Sequence, residues 1–185
     1  HFRALEEHIE LHLVSPRPEC IDMFNYAMRS SKRVVLASDM FLPRRVVEKM
    51  LSENGITGYH ALYLSSDIGV RKDTGELYRL LLEREQITSG ELLMVGDNEH
   101  SDVQVPMNLG IQACHVLRPV EIARALPRLS GIIEWTQTKG GLDEQLGLGL
   151  VVNKLFLPIF YQAFDPASLI HGGPQHIGYA VVGPV

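Results

Sequence analysis

Short apolar runs alternate with helical patterns along much of the chain, and this alternation limits the fold more than any other feature. Four runs of four to six residues are rich in apolar side chains; they span 34–37, 60–64, 92–95 and 112–117. Apolar residues at helical spacing separate the first three runs. Strands that alternate with helices in this way predict a Rossmann-like α/β fold, with a parallel sheet and helices on both faces.

The helical patterns and the composition predict how the chain is organised. Helices are expected over 2–13, 19–29, the residues after Pro43, 76–85 and the region around 121–129, and 65–73 is expected to be a polar turn. Tyr78 is assigned to a helix core. We expect an α/β domain over 1–139, with a helical amino-terminal part over 1–31 and a core over 32–130. The last 46 residues hold 8 of the 16 glycines and few charges, so 140–185 is predicted to be a glycine-rich appendage or the start of a further region.

Charge and composition exclude several classes of function. The chain has 17 basic and 22 acidic side chains, and this net charge of -5 argues against nucleic-acid or anionic-membrane binding, which uses clustered Lys and Arg. The most apolar stretch, 146–160, is interrupted by polar residues and is shorter than the roughly 20 residues of a membrane span. Cys20 and Cys114 form no disulfide or metal motif, which favours a reducing compartment. We therefore expect a cytoplasmic protein without a membrane span.

Polar residues follow the first three predicted strands, and their chemistry suits one ligand. Ser38 and Asp39 follow the first strand, and Lys72 lies in the loop after the second. Asp97 and Asp102 follow the third. Loops at the carboxyl ends of parallel strands form ligand sites; hydroxyl and ammonium groups bind phosphoryl oxygens there, and carboxylates hold Mg²⁺. The pattern predicts a phosphate site at Ser38, Asp39 and Lys72, and a metal site at Asp97 and Asp102.

A purely structural interpretation of the same residues stays open. Ser and Asp favour turns and helix amino termini, so Ser38 and Asp39 alone could simply start the turn before the next helix. Lys72, between Arg71 and Asp73, could be a solvated loop charge. The occurrence of all three groups in order favours the site.

The order of these residues resembles a known superfamily. The string 38–43, Lys72 in the next strand-to-helix loop, and the string 96–102 resemble the second, third and fourth motifs of the haloacid dehalogenase superfamily. The first and last strings are most similar to a branch found as a module beside bacterial glycosyltransferases. The resemblance covers about residues 18–117, and the G-D-x-x-x-x-D string is its most specific part.

The resemblance implies phosphoryl transfer through an aspartyl-phosphate, with Mg²⁺ between protein carboxylates and the transferred group. Ser38 would hydrogen-bond a phosphoryl oxygen, and Lys72 would stabilise the nucleophile and the phosphate charge. Asp97 would bind the metal, and Asp102 would orient Lys72 or a metal-bound water. Ser38, Lys72 and Asp97 are thus the expected catalytic residues of a Mg²⁺-dependent phosphohydrolase that acts on a small phosphorylated metabolite or sugar phosphate.

The first motif of the superfamily, a strand that ends in the nucleophilic Asp, is not found in the chain. No D-x-D string occurs, and Asp22, in its only faint echo, lies in a helical pattern. We expect the nucleophile upstream of His1, or absent altogether, and therefore little or no turnover by this chain. The alternative is a non-catalytic module of a larger polysaccharide-biosynthesis or glycosyltransferase protein, with further domains of the same polypeptide as partners. A phospho-accepting receiver domain is disfavoured, because its acidic, hydroxyl and lysine residues follow in the opposite order.

Overall fold

The computed structural model describes residues 2–14 and 16–152, which divide into two compact units. The first unit comprises the described residues up to His115, and the second begins at Val116. From position 153 onward, the predicted glycine-rich tail lies outside the described residues. The domain boundary expected after residue 139 stays a prediction.

Four strands form two parallel pairs in the first unit. They are β1 (Val35–Ser38), β2 (Ala61–Leu64), β3 (Leu93–Gly96) and β4 (Gln112–His115). β1 pairs with β2, with Val35 opposite Ala61, and β3 pairs with β4, with Leu93 opposite Gln112. The parallel pairing predicted from the sequence is confirmed, and each strand begins within one residue of its expected position.

Helices connect these strands. The first unit contains α1 (Phe2–Leu13), α2 (Pro18–Arg29), α3 (Arg44–Glu53), α4 (Ser65–Ile68), α5 (Glu76–Glu85) and α6 (Val105–Asn108), with a 3-10 turn over Ser89–Glu91 and a π-helical segment over Glu99–Gln104. The helices predicted over 2–13 and 76–85 are confirmed to the residue. The loop 65–73 instead begins with α4, which ends where Gly69 adopts the left-handed conformation with φ of 78°.

Apolar side chains at alternate positions of β2 cover the two faces of its sheet. Leu62 and Leu64 pack with Val46 of α3 on one face. Tyr63 packs with Leu77 of α5 on the other face. Because successive side chains of a strand point to opposite faces, each face presents its own apolar row, and a helix covers each row. The predicted arrangement of helices on both faces is therefore confirmed.

The two sheets of the first unit share one core. Val35 and Ala37 of β1 and Met94 of β3 contact the same cluster of buried side chains, which includes Tyr78 and Ile111. β1 and β3 nevertheless do not pair with each other, and neither has a second strand neighbour among the described residues. All four residues of β1 are only half-buried, whereas three of the four residues of β2 are buried.

The second unit is helical over most of its described part, 116–152. It contains α7 (Pro119–Arg124), α8 (Pro127–Lys139) and α9 (Leu142–Val151), and no helix among the described residues of either unit has the length and apolar composition that a membrane crossing requires. The single helix expected around 121–129 is wrong, because Leu126 has an extended backbone with φ −87° and ψ 119°. Pro127 causes this break, since proline donates no N–H and disfavours helical backbone at the preceding residue.

Candidate functional site

The loops that follow β1, β2 and β3 meet through Lys72. Its Nζ lies 2.5 Å from Oδ1 of Asp102, and the two side chains are only 12% and 4% exposed. Its backbone N–H donates to both oxygens of the Asp39 carboxylate, at 3.0 and 3.2 Å. One residue from the loop after β2 therefore binds a carboxylate that follows β1 and a carboxylate that follows β3.

Ser38 is the last residue of β1 and is half-buried. Its Oγ accepts a hydrogen bond from the Met40 N–H at 3.2 Å, and no acceptor for the hydroxyl proton is found among residues 2–14 and 16–152. Further along the same loop, the Ser66 hydroxyl donates to the Leu42 carbonyl at 3.0 Å. The loop after β1 is thus held at both ends by hydrogen bonds.

The Asp102 carboxylate is enclosed by its own loop. Oδ2 accepts the N–H of Asn98 at 3.1 Å, and Oδ1 accepts the Ser101 hydroxyl at 3.3 Å. Gly96 makes this close approach possible, since a Cβ at that position would lie 2.6 Å from Cγ of Asp102. Together with the Lys72 contact, these bonds occupy both oxygens of Asp102.

Asn98 shapes the segment that carries Asp102. Its Oδ1 accepts the N–H groups of His100 and Ser101, at 3.1 and 2.9 Å. Its carbonyl accepts the Asp102 N–H at 2.8 Å. Asn commonly caps helix amino termini in this way, because its side-chain oxygen satisfies N–H groups that have no partner within the helix. The cap starts the π-helical segment and fixes the backbone around Asp102.

Asp97 lies five positions before Asp102 but has a different environment. It is exposed, and its carboxylate makes no hydrogen bond or ion pair with residues 2–14 or 16–152. The loop is anchored through the main chain instead, because the Asp97 carbonyl lies 3.2 Å from Nε2 of His115. The Asp97 carboxylate is therefore available to a ligand.

The charge of Asp97 and the charged groups at the start of α2 both affect the thiol of Cys20. Burial raises the pKa of the Cys20 thiol; Arg17 opposes this rise, and the negative charges of Glu19 and Asp97 add to it. Cys20 therefore stays a protonated thiol at neutral pH and is a poor nucleophile. Asp22 lies in α2, as its helical pattern predicts, and not at the end of a strand.

Mg²⁺ is the metal that the sequence predicts, and Asp97 is the side chain that fits it best. Proteins hold Mg²⁺ through one or two carboxylates, together with waters and phosphate oxygens. The free Asp97 carboxylate meets this requirement, whereas Asp102 suits an orienting role because Lys72 and Asn98 occupy its oxygens. In the part of the chain that the structure describes, no group of three or more His, Cys, Asp or Glu side chains could by itself hold a metal ion. Direct coordination by Asp102 stays a prediction.

Tyr78 contacts this site, although the sequence pattern assigns it only to the helix core. Its side chain is fully buried, and its hydroxyl donates to the Ser101 carbonyl at 2.7 Å. Burial, and then the negative charges of Asp102 and Asp39, raise the pKa of Tyr78, so the phenol stays protonated and remains a donor. The ring packs in the core as predicted, but the helical period does not predict that the hydroxyl hydrogen-bonds Ser101.

Comparison with known proteins shows the family. The profile of the haloacid dehalogenase-like hydrolase family matches residues 2–116, which include all five predicted site residues. The chain therefore belongs to the haloacid dehalogenase-like hydrolases. No curated protein sequence is significantly similar to it.

Several solved structures of low sequence identity are similar to this chain. Two are structures of L-2-haloacid dehalogenase from Xanthobacter autotrophicus, with TM-scores of 0.52 and 0.53 and identities of 19% and 18%. In both comparisons the match covers 71% of this chain and 49% of the other; the second structure holds covalently bound chloropropionic acid. A third, described as a HAD-hydrolase of Bacillus subtilis bound to magnesium, has a TM-score of 0.48 and 17% identity, and the match covers 59% of this chain and 46% of that one. The matched part of this chain thus corresponds to about half of each of these proteins.

Proposed function

We propose that the first unit is a Mg²⁺-dependent phosphohydrolase site, acting on a small phosphorylated metabolite or a sugar phosphate. The observation that carries the proposal is the contact between Lys72 and Asp102, which holds a buried ammonium where the loops after β2 and β3 meet. Ser38 ends β1, and Asp97 follows β3. A hydroxyl, an ammonium and a free carboxylate therefore follow the carboxyl ends of three parallel-paired strands, where α/β folds bind ligands.

Each residue has a role that its hydrogen bonds support. The Ser38 hydroxyl has a proton to donate to a phosphoryl oxygen. The Lys72 ammonium has three protons, of which the bond to Asp102 uses one, so the others can bind the phosphate. Asp39 accepts the Lys72 backbone N–H and so fixes the main chain from which the ammonium side chain extends. This role adds to the phosphate-binding role predicted for Asp39.

In this proposal Asp97 holds Mg²⁺, and Asp102 orients Lys72. A bound Mg²⁺ would neutralise negative charge on the phosphate and bring it next to the Asp97 carboxylate. Asp102 contributes in a different way, because its ion pair fixes the Lys72 ammonium in one position. A positioned donor stabilises developing phosphate charge more effectively than a mobile one.

The proposal requires a nucleophilic carboxylate, and these 185 residues contain no D-x-D string. β1 and β3 contact one core cluster but do not pair with each other. One parallel strand between them would complete a single sheet, and its carboxyl end would deliver an Asp between Ser38 and Asp97. We therefore propose that such a strand, from outside the printed sequence, supplies the nucleophile.

The remaining expectations about partners and location belong to the same proposal. A small phosphorylated substrate is the expected ligand, the cytoplasm the expected location, and further domains of the same polypeptide the expected protein partners. Nucleic acid is not expected, given the net charge of -5. The second candidate is a non-catalytic module of a polysaccharide-biosynthesis or glycosyltransferase protein, and the lack of a D-x-D string favours it.

Ligand binding separates the two candidates. Calorimetric titration of inorganic phosphate, with and without Mg²⁺, is compared between the wild-type chain, Lys72→Met and Asp97→Asn. We expect Mg²⁺-assisted phosphate binding by the wild type and its loss in both variants. Lys49→Met is the matched control, because it removes an exposed lysine that pairs with Glu53 on the surface of α3. A wild-type chain that binds no phosphate would contradict the phosphohydrolase and favour the module.

Turnover tests the source of the nucleophile. Hydrolysis of p-nitrophenyl phosphate with Mg²⁺ is measured for the 185-residue chain and for the same chain with an Asp-bearing strand added at its amino end. We expect turnover only in the extended chain, and its loss on Asp97→Asn. Strong, Asp97-dependent turnover by the printed chain would show that the nucleophile lies within it and would overturn the strand proposal.

A further inference from the structure

We propose that Tyr78 is a positioning residue of this site, whose hydroxyl fixes the segment that carries Asp102 and thereby aligns Lys72. The inference rests on the proposed phosphate site. It is carried by the hydrogen bond of 2.7 Å from the Tyr78 hydroxyl to the Ser101 carbonyl, next to Asp102.

The Ser101 carbonyl lacks a helical hydrogen-bond donor because the residue five positions later is Pro106. In the π-helical segment, the N–H of Val105 bonds the carbonyl of His100, five residues earlier. The same pattern would pair the Ser101 carbonyl with residue 106, which is a proline and has no N–H. Ser101 is buried, so its carbonyl requires another partner. The Tyr78 hydroxyl supplies the hydrogen bond that Pro106 cannot.

The position of Tyr78 in α5 links this bond to Lys72. The loop from Lys72 runs directly into α5, where the Gly75 N–H bonds the Lys72 carbonyl at 2.9 Å. Three residues later, the Tyr78 ring is fully buried beside Leu77. The segment 72–78, which comprises the loop before α5 and its first residues, thus contacts the segment 99–104 twice, once through the Lys72 ammonium and once through the Tyr78 hydroxyl. Two contacts fix a relative orientation that one contact leaves free to rotate.

Tyr63 offers a matched control for the loss of a buried hydroxyl. It is also buried, and its hydroxyl donates at 2.5 Å to Glu85, close to the residues that precede β1 and β2. Tyr78→Phe and Tyr63→Phe each remove one oxygen and one buried hydrogen bond, and each keeps its ring. Both should lower the urea concentration at the midpoint of unfolding. Only Tyr78→Phe should affect the phosphate site.

The test measures phosphate affinity in the presence of Mg²⁺ and the NMR signal of the Lys72 ammonium. For Tyr78→Phe we expect the dissociation constant to rise about tenfold, the equivalent of one hydrogen bond to an ordered group. We expect the ammonium signal to broaden as well, because the ion pair becomes mobile. For Tyr63→Phe we expect both readouts to match the wild type. Equal behaviour of the two variants would overturn the inference and leave the proposed function intact.

Rescue by Pro106→Ala tests the cause. Alanine restores an N–H that can bond the Ser101 carbonyl, so in this background Tyr78→Phe should no longer weaken phosphate binding. A tenfold loss that persists in the Pro106→Ala background would contradict the inference. If the wild-type chain binds no phosphate at all, the proposed function fails, and the ammonium signal of Lys72 still decides whether Tyr78 positions it.

Discussion

Two clusters among the described residues of the first unit are each built around a buried carboxylate, and they lie at opposite ends of its strands. The carboxyl-end cluster consists of Asp102, Lys72, Tyr78 and Asp39, and the amino-end cluster consists of Glu85, Tyr63, Arg33 and His60. Each combines a buried acid, a basic partner and a buried tyrosine. The clusters are similar in composition, so composition alone does not distinguish a structural cluster from a functional one.

Their surroundings do distinguish them. In the amino-end cluster, Arg33 and His60 lie 3.4 and 3.6 Å from Oε2 of Glu85, and this oxygen has no hydrogen bond among the described residues. In the carboxyl-end cluster, both oxygens of Asp102 are hydrogen-bonded, and five positions earlier in the chain the exposed Asp97 has a carboxylate without a partner among the described residues. The proposed site therefore combines a fully hydrogen-bonded carboxylate with an exposed one in the same part of the chain, and the amino-end cluster has no such combination among the described residues.

The largest effect on stability is expected from Asp102→Ala. The Lys72 ammonium would lose its partner while it stays mostly buried, which typically costs about 3–5 kcal/mol of unfolding free energy. Urea unfolding measures this loss. The double variant Lys72→Met with Asp102→Leu should recover most of it, because no unpaired charge remains. A double variant as unstable as Asp102→Ala would contradict this explanation.

Gly96→Ala should have the next largest effect. The new Cβ would lie 2.6 Å from Cγ of Asp102, so the carboxylate must move away from Lys72, and overpacking of this kind costs about 1–3 kcal/mol. Gly90→Ala is the control, because a Cβ at Gly90 meets nothing within 4 Å. Equal unfolding free energies for the two variants would show that the Gly96 contact is unimportant.

Glu85→Gln tests whether the amino-end cluster is only structural. The neutral side chain can still accept from Tyr63, but Arg33 loses its ionic partner, so we expect a loss of about 1–2 kcal/mol in unfolding free energy. Phosphate affinity with Mg²⁺ should stay within twofold of the wild type. A large loss of affinity would remove the distinction between the two clusters.

Alkaline pH should destabilise the wild-type chain through the amino-end cluster. Burial, and then the hydrogen bond and charge of Glu85, raise the pKa of Tyr63 from 10.0 to about 12. A raised phenol pKa contributes stability that is complete below pH 10 and is lost as the pH rises toward 12. Unfolding free energy should therefore fall over this interval, and less steeply in Tyr63→Phe. A residual slope is expected because the pKa of Tyr78 is raised as well.

Asp97→Asn should have the smallest effect on stability and the largest on metal response. Its carboxylate has no partner among the described residues, so the unfolding free energy should change by less than about 0.5 kcal/mol. Stabilisation by added Mg²⁺ and phosphate, measured as a shift in melting temperature, should be lost. A variant that still responds to Mg²⁺ would show that Asp97 is not the metal ligand.

The sequence predicts the fold well where one local rule operates. The helix over 76–85 is correct because its apolar residues repeat regularly, and each strand is located to within one residue at its start because it coincides with a short apolar run. The break at Leu126 has a local signal in Pro127, but the periodic pattern masks it. The short helix α4 has no comparable pattern, because its four residues are too few to show a period.

The candidate site is predictable as a list of residues but not as a set of bonds. The strand-end rule identifies Lys72 and Asp102, and the structure adds that they form an ion pair. The bond of Asp39 to the Lys72 backbone and the reach of Tyr78 to Ser101 join residues that are more than 20 positions apart. Contacts of this kind depend on how α5 packs in three dimensions, and no spacing in the chain encodes them.

The half-buried strand β1 has a practical consequence for anyone who handles this chain in solution. Among the described residues β1 pairs only with β2. An unpaired strand edge is a template for the strands of other molecules, and uncharged strands are the most prone to such association. Residues 35–38 carry no charged side chain. Light scattering over a dilution series should therefore accompany every titration, since aggregates would mimic a weak affinity for phosphate.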